Sequence, residues 1–138
     1  MPEESTSPDL VERTRRSFEA GSDIDAVMGD YGPDSVWDMS SLGLGVYEGQ
    51  VAIRRFFEDW WGSYGEYRNQ VEEIVDFGNG VIFSVVRIEG RLAGSDAYTH
   101  ARYAEIREWA EGVCRRSTHY LDIDQARAAA ERLAEERG

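Results

Sequence analysis

The sequence predicts an α+β domain in which a curved antiparallel sheet is covered by helices, and three observations predict it. Apolar residues recur at helical spacing through the first third of the chain, the period changes to two from about Tyr67, and short glycine-containing turns join the later segments. Helices segregated from a run of strands argue for α+β, and sequential strands joined by tight turns argue for antiparallel neighbours. The 138 residues suffice for one domain with its own core and are too few for two. Residues 1–7 read as a flexible tail and residues 8–138 as the domain.

Ser7-Pro8-Asp9 supplies a first helix with a cap, a proline at its first position and an acidic first turn. Leu10, Val11 and Phe18 give that helix its apolar bulk, and Gly21 ends it. Ser22-Asp23 caps a second, short helix in which Ile24, Val27, Met28 and Tyr31 recur at helical spacing until Gly32-Pro33 stops it. Ser35 to Met39 is a short strand and Ser40 to Gly45 a flexible surface loop. The third helix spans Gln50 to about Trp61, with Ile53, Phe56, Phe57 and Trp60 as its apolar stripe. Adjacent Trp60 and Trp61 cannot both face the core, so one is expected at a pocket mouth or an interface.

In the first long strand Tyr67, Asn69, Val71, Glu73, Val75 and Phe77 share one face, with Ile74 on the other. Gly78-Asn79-Gly80 signals a hairpin, because Asn-Gly suits the positive φ values of a type I′ turn. Val81 to Glu89 returns, Ala97 to Trp109 follows, and Val113 to Leu121 completes the meander. Asp122 caps a closing helix, with Gln125 in the box position and Ala126, Ala129, Ala130 and Leu133 as a small packing face.

Fifteen basic against 27 acidic residues leave a net charge of −12, which repels nucleic-acid phosphates and anionic lipid. No apolar run approaches the roughly 20 residues that cross a bilayer, and the acidic, polar start is unlike a secretory signal. With Cys114 as its single cysteine the chain forms no internal disulfide, and a reducing, cytoplasmic location is expected. Cys114 reads as a small packed hydrophobe. No HxxxH pattern or carboxylate pair at ligand spacing calls for a metal, and no cofactor is expected.

Gly32-Pro33-Asp34-Ser35-Val36-Trp37, then Gly45-Val46-Tyr47-Glu48-Gly49 leading into Ala52-Ile53-Arg54-Arg55-Phe56, are followed by Glu111-Gly112-Val113-Cys114-Arg115-Arg116 and Tyr120-Leu121-Asp122. In this order and spacing the chain resembles the NTF2-like superfamily, in particular its SnoaL-like members, from about Val11 to Leu133. The resemblance implies a cone in which a curved sheet wraps helices and leaves an apolar pocket at its open end. It also implies frequent homodimers and activities spread over ketosteroid isomerases, polyketide cyclases, dehydratases, epoxide hydrolases and non-catalytic binding or assembly modules. Fold is thereby narrowed much further than function.

A three-residue loop at Ala110-Glu111-Gly112 would pair Trp109 with Val113 and Arg102 with Tyr120. Residues of one parity then share a face. His100, Arg102, Ala104, Ile106, Cys114, Thr118 and Tyr120 form the face expected inward, since its small residues suit close helix packing. Tyr103, Glu105, Arg107, Trp109, Arg115, Ser117 and His119 form the face expected outward. His100 for proton exchange, Arg102 for an anionic oxygen, Tyr120 for an oxyanion and Asp38 as a base raised by burial are the candidate catalytic set. Trp37, Tyr47, Phe57, Trp60 and Tyr64 are the candidate pocket lining for a small apolar or aromatic molecule. The Asp-Arg-Asp array of epoxide hydrolases is not traced around Arg102, nor is an isomerase pair of oxyanion donors. The expected function is an acid/base isomerase or cyclase; a ligand-binding module or a dimeric assembly protein are the alternatives.

Overall fold

The computed structural model describes residues 6–21 and 23–138, with side chains from Leu10 onward. Residues 1–5 of the expected tail, the Ser7 capping side chain and the contribution of Ser22 to the second cap lie outside the described residues. Helix α1 runs Thr6–Glu19 and stops just before Gly21, whose φ of 63° is left-handed. Asp23 caps helix α2, Ile24–Met28, by accepting from the Ala26 N–H. That helix is shorter than its apolar spacing suggests, because Tyr31 opens strand β1, Tyr31–Asp38. Gly32 and Pro33 therefore sit within a strand, at a break in register between Tyr31 and Val36 where a residue lacking an N–H is tolerated.

A turn of 3-10 helix at Ser40–Leu42 leads to strand β2, Val46–Glu48, and helix α3, Gln50–Gly62. Four long strands follow: β3 (Tyr64–Gly78), β4 (Val81–Leu92), β5 (Tyr98–Ala110) and β6 (Val113–Tyr120). Helix α4, Ile123–Arg137, closes the fold, capped by Asp122 as expected. The sheet order is β2-β1-β6-β5-β4-β3. Strand β1 is parallel to β6, so the sheet is mixed rather than wholly antiparallel. The chain between these two strands, through α3 and the meander, is the long connection a parallel pair needs.

Both hairpins turn through two residues. Asn79 and Gly80 have φ of 58° and 82°, and Glu111 and Gly112 have 55° and 78°, the doubly positive pattern of type I′. Gly80 is required twice over, since a Cβ there would come 2.3 Å from the Trp109 carbonyl oxygen. At the second hairpin Ala110 pairs with Val113 and Trp109 with Cys114; one extra residue in β6 then shifts Glu108 onto Arg116. The two-residue turn and this bulge together displace the expected register by two, so Ala104 rather than Arg102 lies opposite Tyr120. Parity is kept for Ser117 to Tyr120 and lost for Cys114, which joins the Trp109 side. A second bulge, between Val71 and Glu73 in β3, ends the single face expected from Tyr67 to Phe77.

Both faces of the sheet are covered. Helices α1, α2 and α3 lie on one, over a core that includes Tyr31, Trp37, Ile53, Phe57, Ile82 and Trp109. The alanines of α4 (Ala126, Ala130, Ala134) pack the other, against Val81, Phe83, Val85, Ala104 and Ile106. Small Ala104 and Ile106 thus do mark close helix packing, but against α4. The face expected outward is the one that α1–α3 enclose, and the expected inward and outward sides are exchanged. No helix among the described residues is long and apolar enough to cross a membrane.

Candidate functional site

Between α1, α3 and the sheet lies a cavity of about 130 Å³. Trp37 from β1, Phe57, Trp60 and Trp61 from α3, and Tyr67 from β3 are among the aromatic residues of its wall. Rings meet edge-on or stacked: Trp37 to Phe57 at 4.7 Å and 81°, Phe57 to Trp61 at 4.8 Å and 15°. Trp60 stacks on Phe56 and Trp61 on Phe57, so both tryptophans border the same cavity from adjacent faces of α3. Leu42, Leu44 and Leu121 also line it, and the last two are exposed.

A buried polar cluster borders these aromatics. Glu105, Arg107 and His119 are 0%, 2% and 1% exposed, far below what charged side chains tolerate without partners. Arg107 Nε donates to Glu105 Oε1 at 3.0 Å and its Nη2 to Ser17 Oγ at 3.2 Å, while Nη1 lies 3.9 Å from Asp30 Oδ2. Asp30 is held in turn by Arg13 Nη2, donating at 2.9 Å, and Arg13 lies over Trp109 at 4.6 Å. A carboxylate–arginine–carboxylate array therefore exists, centred on Arg107 and built from Glu105 and Asp30.

His119 Nδ1 lies 3.0 Å from the Asp38 carbonyl oxygen. A carbonyl only accepts, so the proton sits on Nδ1 and Nε2 is the nitrogen that exchanges. Nε2 is 3.2 Å from Glu105 Oε2, a contact that becomes an ion pair only when the imidazole is protonated. Burial alone would raise the Glu105 carboxyl, but the Arg107 guanidinium and His119 outweigh it and hold the group down at about 2, against an ordinary 4.5. Burial pushes the Cys114 thiol up to about 12, which leaves it a packed hydrophobe rather than a nucleophile.

The depressed Glu105 carboxyl carries a pH prediction. A folded value below the unfolded one gives stability that is complete above about pH 4.5 and is lost as pH falls toward 2. Its size is on the order of 3 kcal/mol. In urea unfolding, wild type should exceed E105Q by a margin at pH 6 that shrinks clearly at pH 3; an unchanged margin contradicts the assignment.

The expected catalytic residues fall elsewhere. His100, Arg102 and Tyr120 do share a face, but it is the α4 face: His100 and Arg102 are exposed and Tyr120 packs beside α4. Arg102 Nε donates to Glu72 at 2.7 Å on the surface. Asp38 is not raised: burial acts upward, yet hydrogen bonds from the Ser40 hydroxyl at 2.6 Å, the Ser40 N–H at 2.9 Å and Arg116 bring its carboxyl below the ordinary value. Asp38 serves the site through its backbone carbonyl instead. Of the expected lining, Trp37, Phe57 and Trp60 border the cavity. Tyr47 packs at a tilt against Phe56 outside that lining and donates to the Leu44 carbonyl, while Tyr64 packs against Tyr67 and Trp60. Glu105, Arg107, His119 and Asn69 were not assigned to a site from sequence. The signal for them was the central place of β5 and β6 in a sheet that a terminal helix also covers, which buries both parities.

A helix-lined concave pocket against a six-strand mixed sheet defines the cone-shaped α+β class that the resemblance implied. The sequence matches the SnoaL-like domain model over residues 11–119, and the chain belongs to that family. Among solved structures it is similar to a SnoaL-like protein from Jannaschia sp. CCS1 (14% identity, TM-score 0.74, 95% of this chain and 97% of that one). An LEH-like epoxide hydrolase from M. tuberculosis matches at 13% identity and TM-score 0.70 over 92% of each chain. TerC, co-crystallised with polyporic acid, matches at 15% identity and TM-score 0.69 over 92% of this chain and 99% of that one. No protein among those with curated descriptions matches the sequence. These likenesses establish the fold; chemistry has to come from the site.

Proposed function

We propose that this chain is a cofactor-independent acid/base catalyst, of isomerase or cyclase type, for a small apolar or aromatic carbonyl compound held in the α1–α3 cavity. One observation carries the reading. Trp37, Trp61, Asn69, Arg107 and His119 line the cavity, and on each of them one buried polar atom (Trp37 Nε1, Trp61 Nε1, Asn69 Oδ1, Arg107 Nη1, His119 Nε2) has no hydrogen-bond partner among the described residues. Buried polar atoms are normally paired, and several unpaired ones on residues around one apolar cavity favour a ligand-binding site there.

The chemistry follows from the positions. His119 Nε2 takes a proton from carbon next to the carbonyl, and the Arg107 Nη1–H meets the oxyanion that forms. Glu105, kept ionised, stabilises the imidazolium from 3.2 Å. Return of the proton to a different carbon isomerises the substrate, while attack of the enolate carbon on a second carbonyl closes a ring. The polyporic acid co-crystallised with TerC supports a small organic ligand in this fold.

The test is deuterium exchange at the α-carbon of cyclohexanone in D2O. Wild type should accelerate exchange, and H119Q should lose about 100-fold or more of that rate. Binding without any accelerated exchange favours the non-catalytic ligand-binding module; equal exchange by H119Q contradicts the role of His119.

A further inference from the structure

The cavity is open to solvent at one place. Among the described residues that line it, only Leu44, Ala101 and Leu121 are exposed, so its mouth lies where the β1–β2 loop, the start of β5 and the end of β6 meet. Leu42 and Leu44 both line the cavity from that loop, and Leu44 is also 40% exposed, which puts it at the boundary between cavity and solvent.

The loop is built as a unit. The Met39 N–H donates to the Gly45 carbonyl at 2.8 Å and closes its base, and the Leu42 and Leu44 N–H groups both donate to the Met39 carbonyl, at 3.0 and 3.1 Å. These bonds lie within the loop and persist if it swings as one piece. Gly43 and Gly45, on either side of Leu44, have φ of 76° and 94°, a region that residues with a Cβ seldom enter. A Cβ at Gly43 would meet nothing within 4 Å, so the backbone turn alone requires glycine there.

The two ends are held differently. At the first, the Asp38 carboxylate accepts from the Ser40 N–H at 2.9 Å and its hydroxyl at 2.6 Å, and Asp38 is itself fixed by Arg116 and by ladder pairing to Val46 and Thr118. At the tip, the Tyr47 hydroxyl donates to the Leu44 carbonyl at 2.8 Å, an exposed bond that ties Leu44 to β2. The Tyr47 ring packs on Phe56 at 4.8 Å, outside the cavity lining.

We propose, resting on the reading of this cavity as a ligand site, that the β1–β2 loop is a gate over it. The loop swings about Met39 and Gly45, and the Tyr47 hydroxyl is the latch that holds Leu44 across the mouth. An apolar ligand passes between Leu44 and Leu121, and closure shuts water out behind it. His119 is anchored to the Asp38 carbonyl, on the fixed side of the hinge, so the gate moves while the imidazole stays in place.

The experiment is fluorine exchange NMR with 4,4-difluorocyclohexanone as the probe, which reads association and release rates together with Kd. Opening breaks the latch in free and occupied protein alike, and Tyr47 does not line the cavity. Y47F should therefore raise both rates about fivefold, the net worth of one hydrogen bond, and leave Kd within about twofold. L44A should raise both rates and also weaken binding, because Leu44 is part of the lining. V51A, exposed and outside the lining, should match wild type. Unchanged rates in Y47F and L44A overturn the gate and leave the cavity reading intact. An effect of Y47F on Kd alone overturns the latch, and faster rates in V51A overturn the assignment to this loop. If the probe binds neither wild type nor the variants, the cavity reading fails and the gate with it. Gated binding without α-carbon exchange of cyclohexanone supports the gate and removes the catalytic reading alone.

Discussion

R107M is expected to cost about 3–5 kcal/mol, because removing one partner of a buried ion pair leaves the other charge uncompensated. Arg107 has Glu105 against Nε and Asp30 near Nη1, and it is 2% exposed, so solvent cannot take its place. The loss should appear as a fall in Tm on the order of 10 °C. Much of it should return in R107M/E105L, where no unpaired Glu105 charge remains, since apolar replacement of a buried pair is often close to neutral. A double-mutant cycle in urea measures both numbers. The same double variant should catalyse no α-carbon exchange. Stability recovered with activity absent would separate the functional role of the pair from any contribution to folding. A stable R107M single variant would mean that Arg107 is not committed to Glu105 in the folded chain.

F57A is expected to cost a similar amount, about 3–5 kcal/mol, through lost burial plus the void left behind. Phe57 is 2% exposed and its ring meets Tyr31, Trp37, Phe56 and Trp61, so the loss is shared by the core and the cavity wall. V51A on the same helix is the control: Val51 is 74% exposed, and its substitution should stay within about 0.5 kcal/mol. Chemical denaturation of both variants checks the contrast, and equal losses would contradict the packing described for α3.

Most of the elements were legible because local rules decide them. Asp122 caps α4, Gly49 precedes α3, and Asn79-Gly80 turns the first hairpin, each through a backbone requirement that few residues meet. Register was less legible. Glu111 adopts a positive φ, which sequence propensity seldom assigns to glutamate, and the turn it makes is two residues rather than three. The bulge after Cys114 then adds one more step. Neither feature leaves a mark in hydrophobic alternation.

The site was misplaced for a different reason. Glu105, Arg107 and His119 carry charge or polar tips, and residues of that kind belong outside unless they are paired. Their pairing is with one another and with Asp30, Ser17 and the Asp38 carbonyl, partners from three other elements or segments that only the tertiary fold assembles. Ala104 and Ile106 pointed correctly to a helix, but the sheet has helices on both sides. The aromatic lining was easier, since Trp37, Phe57 and Trp60 were legible as apolar bulk whatever the register of β5 and β6.

The central claim is that the working face of the sheet carries His119 and not His100. The chain has two histidines, so one H100Q variant assigns both imidazoles in long-range proton–nitrogen NMR. During titration with cyclohexanone the His119 Nε2 resonance should move progressively while both nitrogens of His100 stay fixed. Movement of His100 with His119 unchanged would return the site to the α4 face and contradict the account.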